Sequence, residues 1–229
     1  MAESAHLSDT PEIRARWGGF AWTEANATKA REIIARYPAG RQASAVMPLL
    51  FLAQGQVGQE EGTFGWLPIP VLEFIGRELD MPYIRVLEVA TFYTMYNLSP
   101  VGKYFVQVCG TTPCQLRGAD DLFAECQRRG MTIGHTTADG TFTLSEVECM
   151  GACANAPMVQ INDDNYEDLT AESLGEILDS LAKGLPVRPG SAIGRVASCP
   201  EGGPTTLKAM MSDNHDYREE WAREAASSG

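Results

Sequence analysis

The sequence predicts an α+β chain, a helical bundle followed by a domain of order βαβββα, and three observations carry that expectation. Apolar residues recur at helical spacing up to about Leu98. After Ser99 and Pro100 the rhythm changes to short apolar or alternating runs bounded by turn residues, the pattern of strands. Four cysteines then fall in two tight pairs, each pair opening at the end of a predicted strand.

Residues 1–98 read as the bundle. Thr23 or Thr28 caps a helix through Ala30, Ile33, Ile34 and Tyr37, which Pro38 and Gly40 bring to an end. A second helix covers about Gln42 to Gln56 and carries Val46, Leu49, Leu50 and Ala53. Pro48 either kinks it or marks its true first turn, because proline has no amide hydrogen for the ladder. A third begins near Pro70 and presents Val71, Phe74, Ile75 and Leu79 at helical spacing. A fourth runs from about Tyr83 to Tyr96, with Phe92, Tyr93 and Tyr96 read as bundle packing rather than as a cofactor contact. Short connections make such helices antiparallel neighbours.

Residues 99–185 form the second part. Tyr104 to Val108 is a buried strand that delivers Cys109 at its end, and a helix follows from about Gly118 to Arg129. Asp139-Gly140 turns the chain into a strand from Thr141 to Val147, which delivers Cys149. Two shorter strands follow, Met158 to Ile161 and one after the Asp163-Asp164-Asn165 turn; Thr170 then caps a helix that stops at Gly184. A right-handed crossover between the first two strands brings both cysteine loops to one edge of the sheet. Residues 186–229 are a tail rich in Gly, Pro and Ser, expected to dock partly on a neighbour through Leu207 or Trp221.

Cys109 and Cys114 stand in a C-x4-C, Cys149 and Cys153 in a C-x3-C, with 34 residues between the pairs. Four thiolates suit one metal centre, and a [2Fe-2S] cluster takes two per iron from opposite sides. Zinc ribbons typically use C-x2-C knuckles, so the spacing favours iron-sulfur, with a zinc-stabilised interaction module as the alternative. Disulfides are not needed by a chain of 229 residues with 44% hydrophobic content. The N-terminus has no basic segment followed by an apolar stretch, so no secretory signal is expected. No apolar run approaches the roughly 20 residues needed to cross a bilayer, and the chain is expected to be soluble. The net charge of −12 excludes nucleic acid as a natural partner, and −8 of it falls within residues 99–185, where it would resist adding an electron to a cluster. Cys126 lies on an apolar helical face and is read as a core thiol; Cys199 is read as an exposed one. His6, His135 and His215 lack ligand spacing, which disfavours a Rieske-type His2Cys2 site. Gly110 and Gly151, beside the ligands, are placed to let amides approach the sulfurs. The bond before Pro157 is left open: a cis proline beside the cysteine loop is one reading, and trans is the commoner X-Pro state. No catalytic residues are visible, and no G-x-G-x-x-G follows a strand; Gly55-Gln56-Val57-Gly58 lacks the third glycine.

The stretch DGTFTLSEVECMGACANAP at Asp139 to Pro157 resembles the signature of the family of 24 kDa [2Fe-2S] subunits of respiratory complex I, NADH-quinone oxidoreductase. EVATFYTMYN at Glu88 to Asn97 and APMVQIND at Ala156 to Asp163 are similar to it as well, and the resemblance covers roughly residues 20–190. Met150 departs from it, since the family more often has Leu or Phe there. The resemblance implies a thioredoxin-like [2Fe-2S] ferredoxin domain behind the bundle, with one cluster on Cys109, Cys114, Cys149 and Cys153. It further implies electron transfer within an oxidoreductase, with FMN and NADH on a partner subunit and a large iron-sulfur subunit adjacent. The implied place is the peripheral arm of an inner-membrane complex, on the cytoplasmic side in bacteria. The equivalent subunit of a soluble NAD-linked hydrogenase or formate dehydrogenase shares these motifs.

Overall fold

A computed structural model of the chain describes residues 9–203 and 205–206. Its first helix, α1 (Pro11–Trp17), falls outside the predicted ones; Thr10 caps it by accepting from the Ile13 amide, and Pro11 opens it. The helix α2 (Glu24–Ala35) is capped by Thr23. Thr28 instead lies inside it and donates its hydroxyl to the Glu24 carbonyl. A 3-10 turn, Gln42–Ala45, leads into α3 (Val46–Glu61), so Pro48 sits in the first turn, where an amide has no ladder partner. The next helices are α4 (Ile69–Glu78) and α5 (Tyr83–Phe92). Leu49, Leu50, Val57, Val71, Leu72, Ile75 and Val86 are buried together as the bundle core.

Two aromatic assignments change. Phe92, the last residue of α5, lies off the face that buries Val86 and Ala90 and is 77% exposed; Tyr93, where the backbone turns extended, is 36% exposed, so neither packs in the core. Tyr96 alone is buried, at 4%, and donates to the Met47 carbonyl.

A buried polar clamp fixes the chain where it leaves the bundle, and Phe64 links it to the start of the sheet. Gln54 of α3 accepts from the Asn97 amide at 2.8 Å and donates to the Met95 carbonyl; Asn97 Nδ2 donates to the Gly65 carbonyl at 2.9 Å. Phe64 donates its amide to the Gly102 carbonyl, and its ring stacks on Phe105 at 6.0 Å. The Gln54 amide group and the Asn97 donors all find partners, which is what makes them tolerable in an apolar setting.

The second part builds a five-stranded sheet of order β2-β1-β3-β4-β5, its strands being β1 (Tyr104–Cys109), β2 (Phe142–Val147), β3 (Val159–Ile161), β4 (Asp164–Glu167) and β5 (Gly190–Ser191). Strands β1 and β2 are parallel, with Cys109 opposite Val147, while β3 lies antiparallel to both β1 and β4. The helices are α6 (Thr112–Leu116), α7 (Ala119–Arg128) and α8 (Ala171–Ala182), the last closed by a reciprocal Thr170/Ser173 cap. Val106, Val108, Leu122, Cys126, Leu144, Leu174 and Leu178 form the core between strands and helices. Arg129 ties α7 to α8 through Glu125 and Asp179. Residues 133–137 bridge to β2 on the side away from β1, through Ile133 to Leu144 and Thr136 to Thr143.

The short elements α6 and β5 lie outside the sequence expectation. Leu207, Trp221, His6 and His215 lie outside the described residues.

Gly62 and Gly65 separate two costs of adding a methyl group. Both have left-handed φ, +70° and +99°, but a Cβ at Gly62 meets open space, whereas at Gly65 it meets the Gln54 carbonyl at 2.1 Å. Chemical denaturation should therefore show Gly62→Ala losing about 1–2 kcal/mol and Gly65→Ala losing more, since the clash falls on the clamp itself.

Candidate metal centre

Cys109 ends β1 and Cys114 stands in α6, and both are only 1% exposed. Pro113 sits in the first turn of α6, so this one-and-a-half-turn helix exists chiefly to carry Cys114 back toward the strand end. Cys149 follows β2 by two residues; Gly151 turns the loop with φ +88°, and Cys153 opens a 3-10 turn, Cys153–Asn155. Because β1 and β2 are parallel, both loops leave the sheet at the same edge. All four predicted residues are free thiols, the first pair buried and the second exposed. Ala119, Ala156 and Met158 pack with Cys109 and Cys114, and Met150 and Ala152 lie against them, so the centre has an apolar wall. Met150 keeps an apolar side chain at its divergent position.

The sulfurs sense one another. Cys149 Sγ and Cys153 Sγ are 3.2 Å apart, and Cys109 Sγ is 3.2 Å from Thr111 Oγ1. Burial pushes the Cys109 thiol up, but the Thr111 hydroxyl and amide, Cys114 and the Met150 amide outweigh it and leave it below the usual thiol value. Burial and the hydrogen bond with Cys109 push Cys114 up to about 11. The Gly151 amide, with Cys153, holds Cys149 low, and Cys153 is raised by Cys149 and by burial. Cross-pair charges reinforce the rise of Cys114, through Cys153, and of Cys153, through Cys109, and oppose the lowering of Cys149, through Cys109. Each pair thus has one thiol lowered and one raised from the ordinary value.

This donor set fits a two-iron core. The four sulfurs come as two pairs, Cys109 with Cys114 and Cys149 with Cys153, close enough for charge on one pair to act on the other. A [2Fe-2S] core takes one pair per iron, whereas structural zinc needs four donors around one ion. Amides of Thr111, Met150, Met158 and Gly151 donate to the sulfurs, the arrangement that stabilises thiolate charge. Gly151 takes the part expected of it. Gly110 does not: its amide donates to the Val147 carbonyl, and its missing side chain makes room for Glu146, whose Oε1 lies 2.5 Å from where a Cβ would stand.

Of the other residues singled out by the sequence, Cys126 is fully buried, with its thiol pushed up to about 12 by burial. Cys199 is half-buried rather than exposed, and its carbonyl accepts from Arg195. His135 is exposed. The Ala156–Pro157 bond is cis, contrary to the general preference. Sequence reasoning passed over Thr111 and Asn155. Thr111 had a signal, a hydroxyl two residues past a ligand candidate.

A model of the thioredoxin-like [2Fe-2S] ferredoxin family matches residues 30–182. The chain belongs to that family. Relatives within it are named as the E component of NADH-quinone oxidoreductase. The protein of Rickettsia conorii is 55% identical over 163 residues, 71% of this chain and 94% of its own. A Rhizobium meliloti protein of the same name is 50% identical over 194 residues, covering 83% of this chain and 68% of the relative. Among solved structures, an NAD+-reducing [NiFe]-hydrogenase in its air-oxidised state shares the fold, with a TM-score of 0.51 at 18% identity over 62% of this chain and 23% of the hydrogenase chain. The α+β architecture and the helices preceding the sheet are those the family implied.

Alkylation of the cluster-free chain should follow the sulfur environments. Cys149 is exposed and its pKa is lowered, so more of it is thiolate near neutral pH than in an ordinary exposed thiol, and its rate should rise at lower pH than that of such a thiol. Cys114 and Cys126, buried and raised, should react last. Mass spectrometry of timed samples across pH checks the order.

Proposed function

We propose that the chain is the electron-transfer subunit of the NADH-oxidising arm of an NADH:quinone oxidoreductase, with Cys109, Cys114, Cys149 and Cys153 as ligands of one [2Fe-2S] cluster. The observation that carries this reading is the meeting of two thiol pairs from sequence-distant loops at one sheet edge. The names of the relatives support the parent complex. Bound there, the cluster supplies one-electron chemistry. The chain supplies four thiolates, amides that stabilise their charge, and an apolar wall that keeps water from one side. Thr111, hydrogen-bonded to Cys109 and reaching Cys149, orients one sulfur from each pair. The −8 charge of residues 99–185 favours a low potential.

FMN and NADH belong, on this reading, to the partner subunit that exchanges electrons with the cluster. Gly55-Gln56-Val57-Gly58 is no phosphate loop: it lies within α3, and Gly58 packs against the Thr63 and Phe64 carbonyls. The exposed strip Phe51, Tyr93 and Phe92, joined through Tyr96, gives the flavin subunit or the large iron-sulfur subunit an apolar surface to cover. The division into a bundle (1–98), a cluster domain (99–185) and a tail (186–229), and a place on the cytoplasmic side of the peripheral arm, complete the reading. No helix among the described residues is long and apolar enough to cross a membrane, which suits a peripheral position.

The test is EPR of the dithionite-reduced chain, purified anaerobically, with iron and zinc measured on the same sample. A rhombic S = 1/2 signal with two irons per chain is expected, lost in Cys109→Ser or Cys153→Ser and kept in Cys126→Ala. An EPR-silent chain holding stoichiometric zinc would overturn the reading. Co-purification with a nickel or molybdenum subunit in place of membrane subunits would overturn the parent complex alone.

A further inference from the structure

The turn that carries Cys153 is bound to a segment far from it in sequence. Asn155, two residues on, is 3% exposed; its Nδ2 donates to Glu167 Oε2 at 2.5 Å and to the Ala197 carbonyl at 2.8 Å. Its carbonyl accepts from the Asp168 amide at 2.7 Å, and its own amide closes the turn on Ala152. The Cys153 turn is therefore held between the end of β4 and residues 191–199.

That segment is locked in turn by Arg195. Its guanidinium grips the Asp168 carboxylate with two bonds, Nη2 to Oδ1 at 2.7 Å and Nε to Oδ2 at 3.1 Å, and donates from Nη1 to the Cys199 carbonyl. Ser191 Oγ donates to Asp168 Oδ2 and accepts from the Arg195 amide. The two charged side chains are 8% and 3% exposed, so water competes little for either. Asp168 and Ala197, the residues on either side of Asn155, both have left-handed φ, +54° and +46°. Such backbone is strained for a side chain bearing a Cβ and persists where the surroundings impose it. Asn155 Oδ1, meanwhile, is buried with no hydrogen-bond partner among the described residues. The side chain is kept for its donors although its acceptor goes unmet.

We propose that Asn155 is a positioning residue for the cluster, and that residues 191–199, locked by Arg195 and Asp168, are the brace through which it holds Cys153 in place. The inference rests on Cys153 being a cluster ligand. With the brace intact the Cys153 sulfur is presented at a fixed distance from Cys149. With it broken the turn is free to fray, and one ligand of four is held by the chain alone.

The experiment compares the wild-type full chain with Asn155→Asp, Arg195→Gln and Ile193→Ala, the last an exposed side chain of the same segment that makes none of the bonds just described. Asn155→Asp keeps the shape but turns an acceptor toward Glu167 and the Ala197 carbonyl. Cluster release to a ferrous chelator should be about tenfold faster or more in the first two variants, with broadened or shifted EPR g values, and unchanged in Ile193→Ala. Wild-type release rates and spectra in Asn155→Asp and Arg195→Gln, with unchanged far-UV circular dichroism, would overturn the proposal. Should either variant fail to hold a cluster, hydrogen exchange of the cluster-free chains decides: amides 149–156 exchanging faster than in wild type support the brace, and identical exchange overturns it. If the wild-type chain holds no [2Fe-2S] cluster, the functional reading fails separately, and this second readout still judges the contact between the tail and the Cys153 turn.

Discussion

The parallel pairing of β1 with β2 is the constraint on which the rest of the chain depends. Parallel neighbours cannot be joined by a tight turn; the chain must cross back over the sheet before the second strand starts. Here α6, α7 and the 133–137 segment make that return. Once it is made, the two strands end side by side, Cys109 beside Val147, and loops more than 30 residues apart in sequence become neighbours. An antiparallel pair would have put the two cysteine loops at opposite ends of the sheet. The cysteines therefore owe their meeting to strand direction, and the apolar residues that set it, Val106, Val108 and Leu144, lie in the core.

The bundle has its own bearing on this edge. Gln54, Asn97 and Gly65 fix the chain where it leaves the helices, and Phe64 against Phe105 fixes where it enters β1. Polar groups are expensive inside a fold unless fully bonded, but they hold register in a way apolar contacts do not. The strand that carries the first ligand candidate thus begins at a fixed point and ends at another.

Much of this was legible in the sequence, for identifiable reasons. Strong periodicity marked α4, α7 and α8, and Thr170 with Gly184 bracketed the last of them. The cysteine pairs at strand ends marked the candidate centre. Periodicity could not reveal α6, whose five residues are too few to repeat a face, or β5, whose two residues pair only because the chain returns to β4. Helical spacing does not say where a helix stops, and α5 ends before Tyr93, while Phe92, its last residue, falls off the buried face of Val86 and Ala90. The brace on Asn155 was invisible because its partners, Glu167 and Ala197, lie 12 and 42 residues away.

The sheet ends in two short or occupied margins. On one side residues 133–137 meet the first half of β2, from Phe142 to Leu144; on the other, β5 offers only Gly190 and Ser191. An open strand margin is a template on which another chain can add itself, and long bare ones invite fibrous self-association. Among the described residues little bare strand is thus offered to another chain. Contact with another chain is then left to side-chain surfaces, where shape and charge can discriminate in a way that backbone pairing cannot.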